Sequence, residues 1–274
     1  IGLNKSQKYD AVYSRVMPPN GHLAGLMIKL IRPQIKWVVY FSDPIWNSPF
    51  ISLRSLFVRD RMKRPNYLLM KILGIPAKIA MYMGDLLVFN NERLARYVTG
   101  NSYDKLRHKV VIVPYGHEGV VPMEKTQHEK YIISHVGQIY GDRTFGVLIE
   151  ALLLLKQNYY DLYHKLKIHQ VGFVCEAEKQ KVFNSEVEDC FHFTEMVNYN
   201  ESIHRMRQAD CLLIIDPIFR ESKYNIYTPA KIFDYMSTGL PIAAIADDNS
   251  ATADIMAQID GIRAPHDQVL VYKM

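Results

Sequence analysis

Apolar residues along this 274-residue chain form short runs, which alternate with longer stretches in which apolar positions recur at helical spacing. The runs predicted to be strands are residues 11–14, 37–42, 86–90, 110–113, 131–136, 167–171, 211–215 and 242–246. The stretches predicted to be helices are residues 25–31, 67–82, 92–98, 144–157, 177–184, 202–207 and 230–237. Near-continuous apolar runs are typical of strands buried on both faces of a parallel sheet. Their alternation with helices predicts an α/β protein with doubly wound parallel sheets.

The alternation is interrupted near the middle of the chain. The segment Pro-Tyr-Gly-His-Glu-Gly at residues 114–119 fits neither period, and the polar stretch 123–130 has no apolar repeat. A new strand–helix–strand series opens at Tyr131. We therefore expect two domains, residues 1–119 and residues 120–274.

Composition narrows the class of protein only modestly. The chain is 49% hydrophobic and 22% charged, with a formal net charge of +5, which is ordinary for a globular protein with a sizeable core. The mild positive charge favours anionic partners such as nucleotide diphosphates, acidic lipid head groups or nucleic acid without choosing among them. A slightly basic protein without such a partner would look the same.

The cysteines and the apolar runs indicate a cytoplasmic protein. Cys175, Cys190 and Cys211 have no metal-binding spacing, and a sparse, odd count is typical of reduced thiols. No apolar run approaches the ~20 residues that span a bilayer, and no signal peptide is recognisable. Because the chain begins with Ile1 rather than Met, a preceding segment stays open.

One basic segment stands apart. Between Phe50 and Arg64, apolar residues are interleaved with five cations, namely Arg54, Arg59, Arg61, Lys63 and Arg64. On a helix this pattern makes a basic amphipathic surface that suits the edge of a membrane. The alternative is a solvated helix face whose apolar side packs on the sheet.

The first segment with candidate chemistry is Ser-His-Val-Gly-Gln-Ile-Tyr-Gly-Asp-Arg at residues 134–143. The end of a parallel strand that leads into a helix gathers backbone N–H groups and the positive end of the helix dipole. Gly137 and Gly141 would let a phosphate approach closely, and Arg143 would supply a fixed cation for a diphosphate. The alternative is a structural turn, because the Gly-x-Gly-x-x-Gly spacing of a dinucleotide site is absent.

The second segment is Tyr-Thr-Pro-Ala-Lys-Ile-Phe-Asp-Tyr-Met-Ser-Thr-Gly-Leu-Pro at residues 227–241. Thr228 is predicted to be the N-cap of a helix, with Pro229 as its first residue and Gly239 after its end. Lys231 in the first turn suits a diphosphate, and Asp234 one turn later suits the hydroxyls of a ribose. An exposed surface pair is the other interpretation of these two side chains.

Two further candidates precede residue 50. Asp43 follows a predicted buried strand in Phe-Ser-Asp-Pro, so it is placed to face a cleft beyond the carboxyl end of that strand. A turn-capping role before Pro44 would explain it as well. His22 follows the Asn20-Gly21 turn at a helix start, where it would either orient a sugar hydroxyl or a phosphate, or simply pack.

Together these segments resemble the retaining glycosyltransferases of family 4, which have the two-domain GT-B fold, and especially bacterial members that build cell-surface polysaccharides. In that family the second domain opens with a strand, a Gly-Arg pair and then a lysine. Here Gln138 replaces the arginine, and Arg143 lies at the lysine position. The run from Asp234 to Pro241 matches the family's Glu-Ala-Met-x-x-Gly-x-Pro, with Asp for Glu. The family's earlier glutamate falls at Ile226.

The resemblance implies a role for each matched position. Asp234 would hold the ribose of a nucleotide-sugar donor, and the helix start would hold its diphosphate through the N–H groups of Ala230 and Lys231. Residues 193–199 would flank the nucleobase, and Tyr227 and Thr228 are the nearest replacements for the missing glutamate. The implied donor site is Gly137, Gln138, Arg143, Val197, Tyr199, Tyr227, Thr228, Pro229, Ala230, Lys231 and Asp234. The candidate catalytic residues are His22, Asp43, Arg143 and Lys231.

The resemblance further implies sugar transfer with retention to a saccharide or polyprenyl-linked acceptor, in surface polysaccharide or lipopolysaccharide synthesis. No cofactor, metal or nucleic acid is expected, and the segments expected to line the cleft contain no Asp-x-Asp motif. Membrane contact through Arg54–Arg64 would place the protein at the inner face of the cell membrane. A UDP-sugar 2-epimerase and a non-catalytic nucleotide-sugar-binding protein are the alternatives.

Family members also have strands before Ala11 and a C-terminal helix that crosses back to the first domain. We therefore expect two Rossmann-like domains that face a cleft and are both incomplete. Residues 1–119 would be a partial acceptor-side domain, and residues 120–274 a donor-binding domain truncated at its end.

Overall fold

The computed structural model describes residues 9–16, 20–44, 67–117, 129–219, 221, 223, 225–267 and 271. The chain divides into two compact units, Ile1–Pro114 and Tyr115–Met274. In each unit helices connect the strands of a parallel sheet, which confirms the predicted α/β class. The basic segment from Arg54 to Arg64 lies outside the described residues. No helix in the described ranges is both long and apolar enough to cross a bilayer.

The first unit contains a four-stranded sheet with the strand order β1-β2-β3-β4. Its strands are β1 (Ala11–Arg15), β2 (Lys36–Phe41), β3 (Leu86–Phe89) and β4 (Val110–Ile112), and all are parallel. Its helices are α1 (Asn20–Ile31), α2 (Tyr67–Met83), α3 (Glu92–Thr99) and α4 (Tyr103–Leu106). Large side chains of β2 and β3, such as Trp37, Phe41 and Phe89, are fully buried and form the centre of this unit.

The second unit contains a six-stranded parallel sheet with the order β10-β9-β8-β5-β6-β7. Its strands are β5 (Tyr131–Val136), β6 (Leu166–Val171), β7 (Phe191–Thr194), β8 (Cys211–Ile215), β9 (Ile242–Ile245) and β10 (Ile262–Ala264). Its helices are α5 (Gly146–Asn158), α6 (Tyr160–His164), α7 (Glu176–Phe183), α8 (Tyr199–Arg207), α9 (Lys231–Thr238) and α10 (Ala251–Met256).

The central strands of this sheet are buried on both faces, as their continuous apolar sequences predicted. All five residues of β8 are buried. Leu213 and Ile215 belong to the core on one face, whereas Leu212 and Ile214 belong to the core on the other. Each core therefore takes alternate residues of the same strand.

The two strands missing from the sequence prediction are the edge strands, β7 and β10. Both are only partly buried, so neither has a continuous apolar sequence. In the segment 193–199, which was expected to flank the nucleobase, the first two residues belong to β7 and Tyr199 begins α8. The short helices α4, α6 and α10 were also missed, because four to six residues are too few to show helical periodicity.

The start of α9 differs from the prediction. Ala230, rather than Thr228, precedes the first residue of this helix, and no side chain caps it. Ala230 already has helical angles (φ −56°, ψ −32°), whereas the side chain of Thr228 is buried. Gly239 ends the helix in the left-handed conformation, as predicted.

Candidate functional site

The candidate site lies between β5 and β8 of the second unit, where the order in which successive strands are added to the sheet reverses. β5 and β8 are neighbours, although the chain continues from β5 to β6 on one side and from β8 to β9 on the other. Ligands of open α/β sheets bind beyond the carboxyl ends of the strands at such a point. The segments that follow these two strands are residues 137–143 and residues 216–230, which lead to most of the predicted donor-binding residues.

The loop after β5 is fixed to the neighbouring strand. The N–H of Gly137 donates to the carbonyl of Val171 at 2.8 Å, and the N–H of Ile139 donates to that of Phe173 at 2.9 Å. Gly137 has φ +151°, and a Cβ at this position would collide with Nζ of Lys231 and lie 3.0 Å from its Cε. Only glycine therefore lets the lysine lie against this loop. Gln138 next to it is exposed.

The start of α5 is not the free anion site that the sequence suggested. Oε2 of the buried Glu178 accepts hydrogen bonds from the N–H of Phe145 and the hydroxyl of Thr144, both at 2.9 Å. The hydroxyl of Thr144 in turn accepts from the N–H of Gly146 at 3.0 Å. A carboxylate of the protein already satisfies this helix start, so a diphosphate would find no free N–H at these two positions.

The start of α9 has the opposite character. The N–H groups of Ile232 and Phe233 bond to the carbonyls of Pro229 and Ala230. Within the described ranges, the N–H groups of Ala230 and Lys231 form no hydrogen bond. These are the two groups to which the family resemblance assigned the diphosphate.

Tyr235 fixes α9 against the end of β5. Its ring is fully buried, and its hydroxyl accepts a hydrogen bond from the N–H of Val136 at 2.8 Å. The same hydroxyl lies 3.3 Å from the carbonyl of Val136 and 3.4 Å from that of Leu213. The helix start is thereby held at the junction of β5 and β8.

Lys231 points from α9 toward the end of β5 and joins a chain of hydrogen bonds. Its Nζ lies 2.7 Å from Nε2 of His135, and Nδ1 of His135 lies 2.6 Å from Oε1 of Gln170. Nε2 of Gln170 donates to the carbonyl of Gly137 at 2.8 Å. Lys231 is not paired with Asp234 in a salt bridge, which removes the interpretation of these two as a surface ion pair.

The charges around Lys231 favour an anionic ligand. Burial and the nearby Arg143 together lower the pKa of Lys231 to about 7, and Asp216 opposes both effects. Burial raises the pKa of Asp216, at the end of β8, to about 6 against the influence of Arg143 and Lys231. The structure thus brings two cationic side chains and one carboxyl group with a raised pKa within electrostatic reach of one another. A bound diphosphate would relieve the repulsion between the two cations.

Asp234 and Tyr199 meet beside this cluster. The hydroxyl of Tyr199 donates to Oδ1 of Asp234 at 3.0 Å, and both side chains are accessible to solvent. Val197 packs against the core beneath them. The residues predicted to hold the ribose and to flank the nucleobase are therefore neighbours in space.

In the segment before α9, the two residues suggested as replacements for the missing glutamate differ in exposure. Ile226 and Thr228 are buried, whereas Tyr227 is partly exposed and stacks on Phe219 with 6.1 Å between ring centroids. Of the two candidates, Tyr227 is thus the better placed to contact a sugar.

His22 and Asp43 belong to the first unit. His22 lies in the first turn of α1 with no exposed surface, and its Nδ1 is 2.9 Å from Oγ of Ser14. Burial lowers the pKa of His22 to about 4, so this geometry favours the packing interpretation. Asp43, just beyond β2, is partly exposed and accepts a hydrogen bond from the hydroxyl of Ser42 at 2.8 Å.

Sequence reasoning missed His135, Gln170, Asp216 and Tyr235. For the first three the available signal was weak, namely a polar residue within or just after an otherwise apolar strand, and Tyr235 is an ordinary apolar-face residue of the predicted helix. A buried polar side chain in a central strand requires a partner, and the site supplies one.

Comparison with known proteins supports the fold. No family model matches this sequence, and no curated protein matches it significantly. HepE of Anabaena, solved in complex with UDP, is 13% identical with a TM-score of 0.60, over 97% of this chain and 67% of that one. WaaG, a glycosyltransferase involved in lipopolysaccharide biosynthesis, is 16% identical with a TM-score of 0.54, over 90% of this chain and 70% of that one.

Sucrose-phosphate synthase of Thermosynechococcus elongatus is 12% identical with a TM-score of 0.60, and the aligned region covers 97% of this chain and 63% of the synthase. Identities this low establish the fold alone. The chain accordingly has the fold of the GT-B glycosyltransferases, with two Rossmann-like domains. This confirms the fold class that the sequence resemblance implied.

Proposed function

We propose that this chain is a glycosyltransferase that takes its sugar from a nucleoside diphosphate donor. The observation that carries the proposal is the position of Lys231. It lies at the start of α9, where two backbone N–H groups form no hydrogen bond with the part of the chain that the structure describes, against Gly137 and within electrostatic reach of Arg143. A helix start combined with cationic side chains is suited to a diphosphate.

The neighbouring residues suit the rest of a nucleotide. Asp234 lies one helical turn from Lys231, and a carboxylate accepts hydrogen bonds from the two hydroxyls of a ribose. Tyr199 at the edge of the same surface offers a ring for a base. UDP is the first ligand to test, because the structure of HepE, which shares the fold, was solved with UDP.

In the proposed reaction, a hydroxyl of the acceptor attacks the anomeric carbon on the face from which the diphosphate leaves. The bond from that carbon to the phosphate oxygen breaks and its electron pair stays on the oxygen, which also receives the proton of the attacking hydroxyl. The configuration is therefore retained. Arg143 and Lys231 stabilise the growing negative charge, so the reaction proceeds without a metal or cofactor.

For the acceptor we propose a saccharide or a polyprenyl-linked saccharide in the synthesis of surface polysaccharide or lipopolysaccharide. The proposal rests on the sequence resemblance, with WaaG as a structural neighbour that acts in lipopolysaccharide biosynthesis. The reaction would take place in the cytoplasm, and contact with the inner face of the membrane through Arg54–Arg64 is part of the same proposal.

The first test is a thermal-shift screen with UDP, GDP and their sugars. Ligand at about 100 times its Kd stabilises a folded protein by about 2.7 kcal/mol, so one of these ligands should raise the melting temperature. Asp234→Ala should abolish the shift. Asp254→Ala, an exposed carboxylate in the first turn of α10, should leave it unchanged. A shift that persists in Asp234→Ala would contradict the ribose assignment.

The second test follows the products with the donor that binds best. A glycosyltransferase forms a new glycoside only when an acceptor is present, whereas a 2-epimerase converts the donor alone. Binding without turnover across a panel of acceptors would favour a non-catalytic nucleotide-sugar-binding protein.

A further inference from the structure

His135 and Gln170 form a buried pair behind Lys231. Both side chains have no exposed surface, and the two residues lie directly opposite each other in the paired strands β5 and β6. Their hydrogen bonds link Nζ of Lys231 to the carbonyl of Gly137 through three contacts of 2.7, 2.6 and 2.8 Å. Apart from the half-buried Lys231, every group in this series of hydrogen bonds is a backbone carbonyl or a buried side chain.

The chemistry of these groups fixes the direction of each hydrogen bond. The amide end of Gln170 that faces the carbonyls of Gly137 and Gly172, at 2.8 and 3.5 Å, must be its nitrogen, because carbonyls only accept. Its oxygen therefore faces His135 and requires a proton on Nδ1. Nε2 of His135 is then left with a lone pair, which accepts a hydrogen bond from Lys231.

The acceptor of Lys231 is consequently an uncharged ring. Burial holds the pKa of His135 well below its ordinary value, and Lys231 acts in the same direction. A carboxylate in this place would form an ion pair with the lysine and cancel its charge. A neutral imidazole orients the ammonium group and leaves its charge, together with its two other N–H bonds, for a ligand.

We propose that His135 and Gln170 are positioning residues that hold the Lys231 ammonium for the diphosphate of the donor. The inference rests on the proposed function. If the pair only filled the core, its loss would disturb the fold and weaken the binding of every ligand. The affinities for a nucleoside and for its diphosphate would then fall equally. Selective loss of the diphosphate contribution is the signature of positioning.

The experiment compares His135→Asn with His135→Gln by calorimetric titration of UDP and uridine at pH 6.5, or of GDP and guanosine if GDP binds better. The side chain of glutamine can place its oxygen near the former Nε2, whereas that of asparagine is too short to reach Lys231. Loss of a hydrogen bond to a charged group predicts about a tenfold or greater loss of diphosphate affinity in His135→Asn. Nucleoside affinity should stay within about twofold, and His135→Gln should restore most of the diphosphate affinity.

His169→Asn is the matched control. His169 lies in β6 next to Gln170 and is mostly buried, but its Nε2 bonds to the hydroxyl of Thr194 at 2.8 Å, away from Lys231. Its substitution should lower stability without a selective loss of diphosphate affinity.

The protonation state of His135 can be measured in the unaltered protein, so this test does not depend on whether the variants fold. Nitrogen-15 spectra of the histidine side chains should show His135 protonated on Nδ1. Protonation on Nε2 alone would overturn the inference, as would equal losses for nucleoside and diphosphate or full diphosphate affinity in His135→Asn. If the unaltered protein binds none of the nucleoside diphosphates, the proposed function itself fails.

Discussion

The affinity for UDP should fall as the pH rises above 7, because the lysine assigned to the diphosphate loses its proton there. The pKa of Lys231 in the free protein is about 7, lowered by burial and by Arg143. A diphosphate next to the amine would favour the charged form and return the pKa toward the ordinary value of about 10.4. Binding is then coupled to the uptake of a proton between these two values.

The direction and the size of the change in UDP affinity follow from the linkage between binding and proton uptake. Above pH 7 the free protein must gain a proton in order to bind, so the association constant decreases with pH and approaches a tenfold fall per unit. The lysine is half protonated at pH 7 and about one-hundredth protonated at pH 9, so affinity should drop by about 50-fold across this range. The second pKa of a terminal phosphate is near 6, so the charge of the ligand changes little above pH 7.

Calorimetric titration at pH 7, 8 and 9 in two buffers of different ionisation enthalpy measures both the affinity and the proton uptake. About 0.9 proton should be taken up per UDP bound at pH 8. Lys231→Arg is the control, because an arginine stays charged throughout this range and should bind UDP with little dependence on pH. A constant affinity between pH 7 and 9, or an equal fall in Lys231→Arg, would refute the reasoning.

Three further changes test the scaffold of the site. Gly137→Ala should displace Lys231 and weaken UDP binding about tenfold, as measured by titration. Gly141→Ala is the control, because Gly141 also has a positive φ (+66°) but a Cβ there would meet open space. It should lower the free energy of unfolding by about 1–2 kcal/mol and leave the affinity for UDP unchanged. Glu178→Ala should remove the acceptor at the start of α5 and lower the free energy of unfolding by about 1–2 kcal/mol in urea, with UDP affinity unchanged. Tyr235→Phe should leave a buried N–H at the end of β5 without its acceptor and cost about 1–3 kcal/mol in the same assay; a loss below 0.5 kcal/mol would contradict this role.

The sequence predicted the parts of the fold in which a single physical pattern dominates. The central strands β5 and β8 contribute side chains to the cores on both faces, so burial required the continuous apolar runs that made them recognisable. The edge strand β10 has one exposed, one partly exposed and one buried residue, and its three residues carry no such pattern.

From residue spacing alone, the candidate site was predictable only where its residues are close in sequence. Lys231 and Asp234 lie on one helical turn, so their spacing was informative. His135 and Gln170 are 35 residues apart, and their contact depends on the pairing and register of β5 and β6. Glu178 reaches the start of α5 from α7, 33 residues away, so that contact depends on how the two helices lie in the fold. No local pattern encodes contacts of this kind.

The two helix starts near the site show why only one of them suits an anion. Both α5 and α9 follow strands at the point where the strand order reverses, so both helices begin on the side of the sheet where ligands bind. At α5 the protein has placed Glu178, whose carboxylate takes the N–H group that a phosphate would use. At α9 the same chain has placed a lysine on a neutral histidine, and two N–H groups there have no partner among the described residues. The side chains placed at each helix start, rather than the fold, therefore distinguish α9 from α5 as the site for the proposed donor.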